Sequence, residues 1–177
     1  NEGIDTGDIL LVEKVKLDSK ETGGSLFDKL SGVGAALLVK TLDELEKGTV
    51  KPVKQNETEA THVKMLDKSF GNIDFSMEAA RIERLIRGLN PWPSAFTHFN
   101  GKLLKIWDAD VCDDVVCESG ESVVNGMITH VDNNSFIVKC GDNSLKINEL
   151  QLEGKKRMKT QDFLRGNHIN TGDILGK

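Results

Sequence analysis

The chain has 177 residues, a net charge of −5 and 38% hydrophobic residues, among which Leu, Ile and Val recur periodically. The length admits one large domain or two small ones, and the acidic balance excludes a surface that grips nucleic acid all over, though not a local basic patch. No apolar run reaches the roughly 20 residues that a membrane helix needs, so no membrane contact is expected. Residue 1 is not Met and leads directly into a turn, without a signal peptide, as if the chain were cut from something longer. Cys112, Cys117 and Cys140 have no paired C-x-x-C spacing and read as free thiols of a reducing, cytoplasmic compartment. A ligand set drawn from Cys112, Cys117 and a histidine is the weaker reading, because His62, His98, His130 and His168 stand at unrelated spacings. No metal is expected.

The opening carries a hexapeptide that returns near the end: DTGDIL at 5–10 and NTGDIL at 170–175. Asp or Asn, then Thr and Gly, is turn chemistry, with Asp or Asn capping its own backbone and Gly taking positive φ, so two such turns leading into Ile-Leu need no common origin. Residues 8–17, DILLVEKVKL, alternate as a strand, with Leu11, Val15 and Leu17 facing inward. After the polar break DSKETGGS, a helix is predicted from Ser25 to Lys47. Its stripe is Leu26, Leu30, Val33, Leu37, Leu38, Thr41, Leu42 and Leu45, and Gly48 stops it. One strand and one helix cannot enclose a core, so residues 1–48 read as the end of a larger α/β domain. Residues 49–66 are polar, contain Pro52 and read as a linker; Lys51, Lys54 and Lys64 read as solvated charges.

A second unit is expected over residues 67–177. Its helix is predicted at 76–89, with Ser76 as N-cap, Glu78 in the first turn, and Ile82, Leu85, Ile86 and Leu89 as the apolar stripe. Arg81, Arg84 and Arg87 recur on a different face. They are either a solvated surface or a row of phosphate contacts, since guanidinium forks match phosphate oxygens. Pro91 ends the helix, and Trp92, held between two prolines, is expected to plug an internal interface. AFTHF and KLLKIWDADV flank Asn100-Gly101, a type I′ hairpin signature. ESVVNGMITHV, SFIVKC and SLKINELQL supply three more strands, with Gly126 marking a bulge. Short antiparallel strands with Gly and Asn turns suggest a small Greek-key barrel of the oligonucleotide-binding kind. Lys155, Lys156, Arg157 and Lys159 follow, and Thr160 is expected to cap a short helix. The four charges read as an ordinary basic turn or as an RNA backbone contact.

The segments EGIDTGDILL, IDFSMEAARIERLIRGLNPWPSAFT and LEGKKRMKTQDFLRG occur in this order. Together they resemble the C-terminal part of the methionyl-tRNA formyltransferase family, over essentially the whole chain. GxDTGD is shared with related formyltransferases and with the hydrolase domain of formyltetrahydrofolate dehydrogenase; IRxxNPWP followed by GKK-M--QDFL is more specific. The resemblance implies an α+β chain: the last strand and helix of a Rossmann-like formyltransferase domain (1–48), a linker (49–66), and an open OB-like β-barrel preceded by a helix (67–177). It implies transfer of a formyl group from 10-formyltetrahydrofolate to the amino group of methionyl initiator tRNA, by a cytoplasmic monomer. Glu2, Gly3, Ile4 and Asp5 would then belong to the folate-contacting loop, with Asp5 the catalytic aspartate. Arg81, Arg84, Arg87, Lys155, Lys156, Arg157 and Lys159 would contact tRNA.

The family also uses an upstream Asn-x-His motif, and this sequence has no match: Phe96 stands two before His98, and Gly166 two before His168. Amine attack on a formyl carbon develops an oxyanion that needs donors, the role of the missing Asn and His. A carboxylate such as Asp5 can help move the amine proton but cannot replace those donors. The chain alone is therefore expected to be inactive. Two other readings stay open: a stand-alone RNA-binding module, and a formyltransferase or formyltetrahydrofolate hydrolase acting on a small molecule. The arginine row and the KKRMK cluster favour RNA.

Overall fold

In a computed structural model describing residues 1–114 and 122–176, the first regular element is helix α1, Gly23–Glu46. A reciprocal cap sets its start: Ser25 N donates to Thr22 Oγ1 at 3.1 Å, and Thr22 N donates to Ser25 Oγ at 3.0 Å. The helix therefore begins two residues before the expected Ser25. Gly48, at φ +63°, closes it. No residue of α1 is buried, and Phe27 (72% exposed), Leu38 and Val39 (61% each) and Leu42 (56%) stand in solvent.

The strand expected at 8–17 does not form. The segment is extended, and its one pairing is an antiparallel bridge between Ile9 and Val53, with N–H···O distances of 2.8 and 2.9 Å. A strand needs a partner along its length, and among the described residues of this part only Val53 serves. The chain divides into two compact units, Asn1–Met65 and Leu66–Lys177. Cys117 and Glu121, the latter opening the third predicted strand, lie outside the described residues.

The second unit is built on helix α2, Ala79–Gly88, whose buried Ala79, Ile82 and Ile86 face the sheet. The helix starts three residues later than expected. Ser76 is not its N-cap; the Ser76 amide donates instead to Asp74 Oδ1 at 2.9 Å, in an Asx turn. The cap comes from far along the chain: Ala79 N donates to Asp142 Oδ1 at 2.8 Å. Strands β1 (Ala95–Phe99) and β2 (Lys102–Cys112) form the expected hairpin. Asn100 and Gly101 take φ of +50° and +71°, as a type I′ turn demands.

Strands β3 (Ile128–Val131), β4 (Phe136–Lys139) and β5 (Ser144–Leu152) follow, and a short β6 (Met158–Lys159) pairs with β5 and leads into helix α3, Thr160–Leu164. All pairings between these strands are antiparallel, in the order β1-β2-β5-β4-β3. The sheet is not closed: β1 and β3 are its outer strands. Gly126 lies just ahead of β3 rather than inside a strand. Its φ of +83° and a Leu175 oxygen 2.9 Å from where a Cβ would sit make glycine necessary there. Thr160 is the first residue of α3, not its cap; it is fully buried, and its hydroxyl has no hydrogen-bond partner among the described residues.

Residues 172–176 line both outer strands. Gly172 N and Leu175 N donate to Ile128 O and Gly126 O at 2.8 and 2.9 Å, and Gly176 N donates to His98 O in β1 at 2.9 Å. The core of the unit holds Ile82, Ile86, Leu104, Ile106, Ile128, Phe136, Val138, Leu145, Ile147, Leu150 and Phe163.

Candidate functional site

In the first unit, Asn1 ties the opening loop to itself. Its Oδ1 accepts from Gly3 N (3.1 Å) and Thr6 Oγ1 (2.6 Å), and its Nδ2 donates to Thr6 O (2.9 Å). Gln55 Nε2 holds the far side, donating to the carbonyls of Asp5 (2.9 Å) and Gly7 (2.6 Å). Asp5 adopts φ +58°, a left-handed conformation that Asp tolerates better than most residues. Glu2, Gly3, Ile4 and Asp5 are all exposed. Among the described residues no donor is hydrogen-bonded to the Asp5 carboxylate. A groove of about 470 Å³ beside the loop is lined by Asn1, Gly7, Asp8, Leu10 and Pro52.

The repeated hexapeptide makes two different turns. In the first copy the left-handed residue is Asp5; in the second it is Gly172, at φ +97°. There Asp173 Oδ2 accepts from Asn170 N at 2.8 Å, so that carboxylate closes its own turn. Asn170, the counterpart of Asp5, does not share its left-handed conformation and carries no carboxylate.

The basic residues of the second unit fall into distinct environments. Arg81 and Arg84 are exposed on α2. Arg87 is half-buried and forks onto Glu83, with Nε–Oε1 at 2.6 Å and Nη2–Oε2 at 3.0 Å. The bonded Glu83 raises the Arg87 pKa further above its ordinary range. Lys155 and Lys156 are exposed in the turn after β5. Arg157 stands over the Trp107 ring, 4.8 Å from its centre, and donates to Glu149 Oε2 at 2.5 Å. Lys105 covers the same ring at 5.6 Å, and Lys159 lies 4.0 Å from Glu149 Oε2. The Arg157 bond holds the Glu149 carboxyl below its usual range.

Trp107, Lys105 and Glu149 were not singled out from the sequence. Trp107 is placed by a β-bulge: Ile106 pairs with Leu150 and Asp108 with Glu149, which leaves Trp107 as the extra residue on β2. Two consecutive residues, Ile106 and Trp107, are therefore buried. The α2 exit meets the same point, since Asn90 Nδ2 donates to Trp107 O at 3.2 Å. The end of the arginine helix and the Lys155–Lys159 segment thus converge on Trp107. Arg81 and Arg84 lie toward the helix end that Asp142 caps. Trp92 is not the internal plug expected from its two prolines: it is 59% exposed. Among the described residues no cluster of His, Cys, Asp or Glu is arranged to hold a metal ion.

Residues 65–168 match the family model described as formyl transferase, C-terminal domain. Methionyl-tRNA formyltransferase of Lachnospira eligens is 62% identical over 177 residues, which is all of this chain and 56% of that protein. The enzyme of the same name from Agathobacter rectalis is 49% identical over 175 residues, covering 99% of this chain and 55% of that protein. The chain thus spans a little over half the length of these relatives. Among solved structures, HypX from Aquifex aeolicus in complex with tetrahydrofolic acid is alike in fold. Its TM-score is 0.60 at 14% identity, over 98% of this chain and 32% of that one. With an antiparallel sheet, a packed helix and a family match over more than half its length, the chain belongs to the formyl transferase C-terminal domain family.

Proposed function

We propose that the chain is the C-terminal portion of a methionyl-tRNA formyltransferase, and that residues 67–177 are its tRNA-holding module. The observation that carries this is the 62% identity to the Lachnospira eligens enzyme over every residue of the chain. The completed protein would move a formyl group from 10-formyltetrahydrofolate to the amino group of methionyl initiator tRNA, as a cytoplasmic monomer. Residues 1–48 would be the end of its catalytic domain and 49–66 the linker. The strand order, with β5 beside β2, supports reading the second unit as a Greek-key, OB-like module.

The residues present do not suffice for the folate donor. The loop Glu2–Gly3–Ile4–Asp5 is exposed, and the groove beside it is lined by Asn1, Gly7, Asp8, Leu10 and Pro52, a set without imidazole or carboxamide donors beyond Asn1. What this chain brings is a carboxylate, Asp5, on a loop fixed by Asn1 and Gln55. In the completed protein that carboxylate would help carry the proton that the amine loses. The basic residues around Trp107, with Arg81, Arg84, Lys155 and Lys156, would hold tRNA phosphates, for which guanidinium and ammonium groups are suited.

The test is a titration of the chain with methionyl initiator tRNA at several salt concentrations. A steep fall in affinity with salt is expected, as counterions are released. No binding at low salt would overturn the reading of the second unit. Rejoining the chain to the upstream half of the Lachnospira eligens enzyme should restore formyl transfer; a folded but inactive hybrid that still binds tRNA would count against the enzyme assignment.

A further inference from the structure

Trp92 is 59% exposed, while Pro93, Ser94 and Ala95 after it are buried. Its loop is pinned on both sides. Asn90 Nδ2 donates to Trp107 O at 3.2 Å, and Ser94 N donates to Leu89 O at 2.9 Å. The indole is thus held out in water by a fixed backbone. A second exposed aromatic, Phe70 (43%), stands on the adjoining segment. There Gly71 packs so closely on Ser94 that a Cβ would come 2.0 Å from the Ser94 oxygen, and Ile73 N donates to Phe96 O at 2.8 Å. Beyond Asn90, no more than about 7 Å of backbone from Trp92, lies Trp107 under the cations of Lys105 and Arg157.

An exposed ring with cations within a nucleotide or two of it is the combination that holds single-stranded nucleic acid: bases stack on the ring and the cations take the phosphates. In a duplex the base faces are already stacked on one another, so such a surface selects an unpaired segment. Glu149 takes part of the Arg157 charge, which leaves stacking a larger share of the interaction. Resting on the reading of the second unit as RNA-binding, we propose that Trp92 is a stacking platform for an unpaired RNA base, in a strand whose phosphates reach the cations Lys105 and Arg157 across Asn90.

The chain has two tryptophans, and Trp107 is only 9% exposed, so acrylamide quenching reports mainly Trp92. A short single-stranded oligoadenylate, added to the unaltered chain at low salt with binding followed by filter retention, should shield Trp92 from acrylamide. Inorganic polyphosphate, which offers charge without bases, should not. Trp92→Ala should weaken oligoadenylate binding about tenfold with an unchanged salt slope, and Trp92→Phe should restore most of it. The proposal is overturned if bound oligoadenylate leaves quenching unchanged, if polyphosphate shields equally, or if Trp92→Ala binds like the unaltered chain. The quenching arm needs no variant, so a misfolded substitution leaves the question decidable. Failure of the unaltered chain to bind any RNA would instead strike the proposed function itself.

Discussion

Arg157 lies 4.8 Å from the centre of the Trp107 ring, and its guanidinium is already bonded to Glu149. Part of its charge is thereby neutralised inside the protein, whereas Lys155 and Lys156 stand exposed just before it. Lys155→Ala with Lys156→Ala should weaken tRNA binding roughly tenfold at moderate salt and lower the salt slope by about one for each phosphate no longer neutralised. Preference for initiator over elongator tRNA should barely change, because these lysines read charge and not bases. Filter binding to both tRNAs at several salt concentrations decides the matter; an unaltered affinity and slope would make this segment an ordinary solvated turn.

The arginine row should divide in function. Arg87 is forked onto Glu83 and half-buried, while Arg81 and Arg84 are exposed. Arg87→Ala should cost about 0.5 kcal/mol of stability, the scale of a helical i,i+4 pair, and change tRNA affinity little. Arg81→Ala with Arg84→Ala should do the reverse. Urea melts and binding isotherms on the same samples separate the two effects, and a uniform loss of affinity across all three positions would contradict the division.

Asp142 caps α2 from 63 residues away in sequence. Its carboxyl is held below the usual range, chiefly by the Ala79 amide. A lowered folded-state pKa adds stability above the unfolded value and loses it as the pH falls through the folded one. Asp142→Ala should therefore lower Tm by about 5 °C at neutral pH, with the gap to the unaltered chain narrowing as the pH drops below about 4. Asp142→Asn, which keeps an acceptor, should lose less. Calorimetry from pH 7 to pH 3 checks this, and a gap independent of pH would mean that the carboxylate does not carry the cap.

Asp5 opens the first copy of the hexapeptide, and Asp173 is the fourth residue of the second, whose opening residue is Asn170; their tasks differ. In a hybrid completed with the upstream half, Asp5→Asn should cut kcat/KM by about two orders of magnitude or more while folding persists. Asp173→Asn should leave turnover nearly unchanged, since that carboxylate accepts from Asn170 N within its own turn. Equal losses from both would overturn the separation.

What the sequence made legible was local. The α2 stripe appears in its letters because Ile82 and Ile86 repeat at helical spacing. The β1–β2 hairpin appears because Asn100-Gly101 has few other uses. What it hid depended on distant partners. Asp142, in the turn between β4 and β5, takes the place of Ser76 at the start of α2. Residues 8–17 carry strand-like alternation, but among the described residues they bridge only to Val53, so the pattern stays extended without becoming a strand. Trp107 reaches its cations through a register shift that no spacing rule announces. Trp92, hydrophobic and flanked by prolines, looked internal, yet buried Pro93 and Ser94 leave the indole outside. At the candidate site Arg157 and Lys155 were visible as charges, but their unequal freedom was not, because Glu149 sits on a different strand.

The segment 172–176 carries a consequence for handling the protein. An unpaired strand edge is a template for other chains. Here β3 is met at Ile128 by Gly172 and Asp173, the residue ahead of it, Gly126, by Leu175, and β1 by Gly176 at His98 and by Ile73 at Phe96. The segment therefore acts as a selvedge along both edges, where neighbouring molecules could otherwise knit on. Deleting it would leave most of the core residues in place and yet bare both edges to neighbouring molecules, so a fusion partner is better joined through a flexible spacer than in place of these five residues.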